Sequence, residues 1–369
     1  MVNKRGGSER IEEINFLRGF GVLAVIAIHT TGYFTAVENY GSLVLVNLWA
    51  DTFSQFAVPL FICISGFVLA RKYRSKFPLK TFYTRRIRSI IPQYLIFSVL
   101  YTLVNNWDVI LRSSPGACLL LLGEKIWQAD GSYHLWFFAI IIELYILYPL
   151  IIKFYDFVKQ IARAELALVF FLIVQLFWMV GVHATPDIKV NCIAYFFYFV
   201  LGIYACDYFE PHRQSLTRLT PLFLVMSLAL TVGAAFFTVI GLSAGYRYYA
   251  IPGYYFMGSE LIYPILRVVT FLFLFNLADI LAHKRGLLVK ILYRLGDHSF
   301  GIYLIHIFFT QSVISILKND NIDCNNWLFY PIVYIVTLVV SYFAVRLLSY
   351  IPHSDYLIGQ RGSHKSSGV

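Results

Sequence analysis

The sequence predicts an all-α, polytopic integral membrane protein with about ten transmembrane helices and both termini in the cytoplasm. Three observations carry that prediction. Apolar residues make up 59% of the 369 and charged residues only 14%. A soluble chain has about 25% charged residues, so this one cannot cover a surface that faces water. The apolar residues also fall in runs that suit a bilayer, whose ~30 Å hydrocarbon core takes about 20 residues of helix. Finally, the basic residues gather in alternate connecting segments, as a membrane topology requires.

The first run, 14–36, follows a mixed-charge segment, Lys4 to Glu13. Its length suits a retained helix rather than a cleaved signal. The second run, 50–70, leads into the densest basic segment, Arg71 to Arg88. Runs at 87–105, 134–153, 166–183, 189–208, 220–242, 260–281, 298–317 and 327–351 complete the ten. Between residues 105 and 133 the stretch Ala117–Leu122 is too short to cross and reads as re-entrant or interfacial. Both termini and the even-numbered loops together hold 23 Lys and Arg, against 5 in the odd-numbered loops: Arg112, Lys125, Lys189, Arg247 and Lys318. The positive-inside rule makes the richer side cytoplasmic. One domain, 1–369, is expected, with its helical core at about 14–351 and a polar, disordered tail at about 359–369.

The net charge of +10 does not point to nucleic acid. A nucleic-acid domain clusters its Lys and Arg on a soluble face, and here they lie in short tracts between apolar runs. Cys63, Cys118, Cys192, Cys206 and Cys324 show no metal-type pair spacing. Cys118 and Cys324 fall in loops on one side, and are expected to stay unpaired.

An ionisable residue inside a membrane span is costly and marks either function or a buried pair. Arg18 and His29 share the first run. Eleven residues at 100° each leave them ~20° apart on one helix face and ~16 Å apart along the axis. That places Arg18 near the cytoplasmic surface and His29 near mid-membrane. In the second run, Ser65 and Gly66 follow Pro59-Leu-Phe, and small residues there favour close helix packing over chemistry. Arg85 and Arg88 lie one turn apart at the end of the basic tract. Their guanidinium forks suit phosphate, although any cytoplasmic loop is basic and such a tract also suits anionic lipid. In the fourth run, His134 and Trp136 sit at the outer end, Glu143 lies deeper as an acid in the bilayer, and Tyr145 follows it. Ser299, Tyr303 and His306 share a face of the ninth run. Glu260 and Arg267 read as a buried ion pair in the eighth.

These motifs, in this order from Asn15 to His306, resemble the acyltransferase-3 family of integral-membrane O-acyltransferases. Arg18 and His29 match its Arg-x10-His spacing, Pro59–Phe67 its Pro-Leu-Phe…Ser-Gly-Phe segment, and Arg85 with Arg88 its Arg-x-x-Arg before a proline. His134-Leu-Trp136 and Gly301-Ile-Tyr303…His306 match the later signatures. Some relatives carry an acidic pair in the fourth helix, and here only Glu143 is present.

The resemblance implies a multi-pass protein of the cell inner membrane that moves an acyl group, most often acetyl, from cytoplasmic acyl-CoA to a hydroxyl. The acceptor would be a cell-envelope glycan or lipid-linked sugar. No bound cofactor or metal is implied. His29, Glu143 and His306 would be catalytic, and Arg18, Arg85 and Arg88 would bind the donor. Ser65, His134, Trp136, Tyr145, Tyr303, Glu260 and Arg267 would support the acceptor or the structure. The alternative is an exporter of polysaccharide or lipid-linked sugar, against which stands the lack of an internal repeat of the kind many transporters show.

Overall fold

The computed structural model describes residues 12–37, 41–74, 77–184, 191–243 and 253–359; the side chains of 182–184, 210–212, 214, 240–243 and 253–261 lie outside that description. The described residues form fourteen α-helices, two short 3-10 turns and no strand. Ten segments among them are long and apolar enough to cross a membrane, and each overlaps one of the ten predicted runs.

Helix α1 (Glu12–Thr31) runs into a 3-10 turn, Gly32–Ala36. The second crossing begins earlier than predicted and is broken in two, α2 (Ser42–Ser54) and α3 (Ala57–Lys72). Pro59 explains the break. It has no N–H for the carbonyl of Gln55, and its ring crowds that carbonyl. Then come α4 (Leu79–Asn105), α5 (Trp107–Arg112) and α6 (Pro115–Gln128). The short pair α5 and α6 occupies the region that the apolar pattern left too short to span. Ser114 caps α6 by accepting the Ala117 N–H, with Pro115 in the first turn. Leu119, Leu120 and Trp127 of α6 are 71, 78 and 91% exposed, so this helix lies on the surface of the bundle.

The remaining helices are α7 (Trp136–Ile161), α8 (Ala164–Ala184), α9 (Phe196–Arg218), α10 (Thr220–Ser243), α11 (Gly253–Ala282), α12 (Leu287–Asn319), α13 (Phe329–Leu348) and α14 (Ser354–Ile358). Helix α12 starts well before the apolar run at 298, because Lys290 and Arg294 occupy its first turns and hide them from an apolar count.

Glycines set the two closest helix crossings. A Cβ on Gly66 of α3 would overlap the Phe199 carbonyl of α9, and one on Gly202 would overlap the Cys63 carbonyl. Gly296 of α12 packs against the Asn15 carbonyl of α1 in the same way. These small residues let backbones meet where lipid provides no hydrophobic drive. Asn15 then donates its side-chain N–H to the Tyr293 carbonyl at 2.8 Å, which registers α1 against α12.

The end of the bundle that holds the start of α1 is tied by two ionic networks. Arg74, just past α3, reaches Asp156 of α7 at 3.1 Å and Asp207 of α9 at 2.5 Å. Lys159 and Tyr155 of α7 also bond Asp207, at 2.8 and 3.2 Å. Arg213 of α9 bonds Glu13 of α1 at 2.7 Å and also Asp279 of α11. Among the described residues no disulfide joins Cys118 to Cys324.

Candidate active site

Three histidines from distant parts of the chain meet in the half of the bundle away from these networks. His29 lies in the last turn of α1, His134 in the turn that leads into α7, and His306 within α12. The His29 and His306 ring centroids are 5.2 Å apart, and those of His134 and His306 5.4 Å apart. Position in α1 puts His29 ~26 Å along the axis from Glu12, closer to the far end than to the middle expected from its spacing.

Hydrogen bonds hold two of these rings. His306 Nδ1 lies 2.7 Å from the Tyr303 carbonyl oxygen. A carbonyl only accepts, so Nδ1 carries the proton and Nε2 of the neutral ring is the acceptor. Among the described residues that buried Nε2 has no hydrogen-bond partner, and the whole residue is 0% exposed. His134 is 2% exposed, with Nδ1 3.1 Å from the Ser132 hydroxyl. Its carbonyl accepts the Tyr303 hydroxyl proton, which pins the turn to α12.

Tyrosines complete the surroundings. Tyr101 of α4 stands edge-on to His134 at 5.0 Å and donates to the Leu304 carbonyl at 2.9 Å. Tyr133 stands edge-on to His29 at 5.1 Å and is 47% exposed. His29 itself keeps exposed surface, unlike the other two imidazoles. The arrangement therefore presents one half-buried histidine backed by a fully buried one with a fixed tautomer. Among the described residues no three His, Cys, Asp or Glu groups are placed to share a metal ion.

A family model described as an acyltransferase domain, that of the acyltransferase-3 family, matches residues 11–346. The chain belongs to the acyltransferase-3 family. An 88-residue stretch is 36% identical to Acyltransferase MdmB of Streptomyces mycarofaciens, covering 24% of this chain and 22% of that protein. The match thus spans about a fifth of that relative's length. No solved structure matches the chain.

Of the residues singled out by resemblance to the family, the structure brings His29, His134, Tyr303 and His306 together. Trp136 is the first residue of α7 and stacks on Tyr195 rather than on an imidazole. Glu143 accepts the Cys192 backbone N–H at 2.9 Å. It caps the 3-10 turn Cys192–Tyr195, and among the described residues no bond joins it to a histidine. Ser65 donates to its own helix at the Phe61 carbonyl, 2.9 Å away, and its neighbour Gly66 makes the α3–α9 crossing. Arg267 donates to the Tyr198 hydroxyl at 3.2 Å and lies over the Tyr198 and Tyr263 rings. The side chain of its expected partner, Glu260, lies outside the described residues.

Arg18 is half-buried on α1. Val22 and Val25, which lie between it and His29 on that face, are 0 and 3% exposed and packed. Arg85 and Arg88 point outward, while Arg86 turns into the bundle. Its guanidinium lies 6.0 Å from the Tyr73 ring centre and 5.6 Å from that of Tyr145, so Tyr145 belongs to this basic corner and not to the histidine cluster. Burial alone would push the Tyr73 phenol up, but Arg85, Arg86 and Lys72 outweigh it and hold it below the ordinary tyrosine value. A hydrogen bond from Arg85 and the positive charges of its neighbours favour the phenolate, which is the physical meaning of that shift.

Sequence reasoning missed Arg86, Tyr101 and Tyr133. Arg86 sat inside the recognised tract, and Tyr133 directly precedes His134. Tyr101 carried no signal, because a tyrosine in an apolar run is ordinary.

Proposed function

We propose that this chain is a membrane O-acyltransferase. It takes an acyl group, acetyl foremost, from acyl-CoA and gives it to a hydroxyl of a cell-envelope glycan or lipid-linked sugar. The half-buried His29, with its ring 5.2 Å from that of His306, is the observation that carries this reading. The basic end faces the cytoplasm of a cell inner membrane, with both termini inside, and the histidine half faces the acceptor.

In this reading the donor's phosphates settle among Arg18, Arg85, Arg86 and Arg88, where guanidinium forks suit phosphate oxygens. The His29 imidazole takes the proton of the acceptor hydroxyl as that oxygen attacks the thioester carbon. The tetrahedral intermediate then collapses, the carbon–sulfur bond breaks, and the proton passes to the departing CoA thiolate. His134, with Tyr133 at the open side, shapes the acceptor's entry, and Tyr303 holds the His134 turn. Packing at Val22 and Val25 means that the donor arm reaches His29 by a route other than the α1 face, or after helices part.

The test is transfer from labelled acetyl-CoA by the purified protein in vesicles that hold envelope glycolipid. Wild type should label the glycolipid, and His29→Ala should lose at least 100-fold in rate while still binding CoA. Wild-type rates in His29→Ala would sink the mechanism. Absence of any CoA-dependent transfer, with glycan stranded inside cells that lack the protein, would point instead to export.

A further inference from the structure

A second basic feature lies away from the proposed donor corner, on the outside of the bundle where α12 meets α13. Ile291, Arg294 and Leu295 of α12 and Tyr342, Phe343 and Arg346 of α13 line a cleft of about 180 Å³. Both arginines are exposed, and no carboxylate lines the cleft. Among the described residues neither guanidinium forms a hydrogen bond or ion pair. Two uncompensated guanidiniums beside one cleft repel each other unless an anion joins them.

The flanks of the cleft say which anion. Phe343, Val339 and Val336, on one face of α13 and deeper than Arg346, are 52, 45 and 36% exposed. Such a surface suits acyl chains and not water. The cleft also sits at the level of the start of α1, since Gly296 packs on the Asn15 carbonyl. It therefore lies at the basic end, where head groups meet the hydrocarbon.

We infer that this cleft binds the phosphodiester head group of an anionic phospholipid, with Arg294 and Arg346 gripping the phosphate and the lipid's chains lying along Phe343 and Val339. Guanidinium–phosphate geometry favours such a bidentate grip. His298 stacks edge-on against Tyr342 at 5.3 Å and bonds the Arg294 carbonyl at 2.8 Å. These contacts hold the cleft wall in shape. A bound lipid would fix α12, the helix that carries Tyr303 and His306, against α13.

The experiment measures lipid retention by the purified full-length protein in detergent. Probes are phosphatidylglycerol and phosphatidylcholine with the same chains, and coenzyme A and inorganic phosphate as water-soluble competitors. Wild type should prefer phosphatidylglycerol. Arg346→Gln should weaken that preference about fivefold and the Arg294→Gln/Arg346→Gln pair about 25-fold, following the attraction per basic residue at an anionic membrane surface. Phosphatidylcholine retention should stay unchanged, which checks the fold, and the Lys pair should fall between. Unaltered preference in the Gln pair would overturn the proposal. So would displacement of the lipid by coenzyme A or phosphate, which would make the cleft a site for a soluble anion.

Discussion

At the scale of single residues, the site rests on a division of labour between two imidazoles. His29 is half-buried, while His306 is closed in and has its proton on Nδ1. In the proposed mechanism, replacing His29 by Ala removes the general base, whose contribution is typically about 10² to 10⁴ in rate. Replacing His306 by Asn separates structure from chemistry, because the Asn amide can still donate to the Tyr303 carbonyl while nothing replaces Nε2. We expect His306→Asn to melt close to wild type yet transfer acyl groups at least tenfold more slowly, read by thermal denaturation beside initial rates. A drop in melting temperature with an unchanged rate would make His306 a core residue only. Tyr303→Phe loses the hydroxyl that holds the His134 carbonyl. Its cost should be about 1–3 kcal/mol, the penalty for leaving a buried acceptor without its donor.

At the scale of elements, the glycines decide which helices touch. Gly66→Ala and Gly202→Ala each place a Cβ into a facing carbonyl, so α3 and α9 must move apart. Overpacking of this kind costs about 1–3 kcal/mol. Gly233 of α10 has nothing within 4 Å of the same added Cβ, and Gly233→Ala should be neutral or slightly stabilising through helix propensity. Melting the three variants side by side checks the contrast. Equal effects would show that the crossing is not set by the glycines. Proline acts on another element in a readable way. Pro59 breaks α2 from α3, whereas Pro92, Pro149 and Pro264 lie inside continuous helices.

For the whole molecule, the ionic networks bind the basic ends of five helices into one unit. Asp207 gathers Arg74, Lys159 and Tyr155 from the end of α3 and from α7. Asp207→Asn leaves two cations facing each other with weaker compensation. Partial exposure limits the effect to roughly 1–2 kcal/mol, between the surface and buried limits. High salt should narrow the gap between variant and wild type, and a gap that does not respond to salt would argue against an electrostatic origin. The proposed orientation has its own check. In a Cys118→Ser/Cys324→Ser background, a cysteine added at the C-terminus should react with an impermeant maleimide in inverted vesicles and not in intact cells.

The sequence by itself determined the class of fold and the crossings. Bilayer thickness sets how long an apolar run must be, and the lack of hydrogen-bond partners in lipid forces each run to be a helix. Those constraints are local, so ten crossings were legible without any tertiary information. The polar residues at 18, 29, 134, 303 and 306 were also legible as exceptions to the apolar rule. Their meeting was not. Helical periodicity tells which face a residue shares within its own helix and nothing about the neighbour across the gap. Only the tertiary structure placed the ends of α1 and α7 beside the middle of α12, so that His29, His134 and His306 touch. It alone turned Arg86 inward past Arg85 and Arg88, because Tyr73 and Tyr145 come from other helices. And it alone sent Glu143 to a backbone N–H rather than to an imidazole. Such choices depend on packing between segments far apart in the chain, which local pattern does not encode.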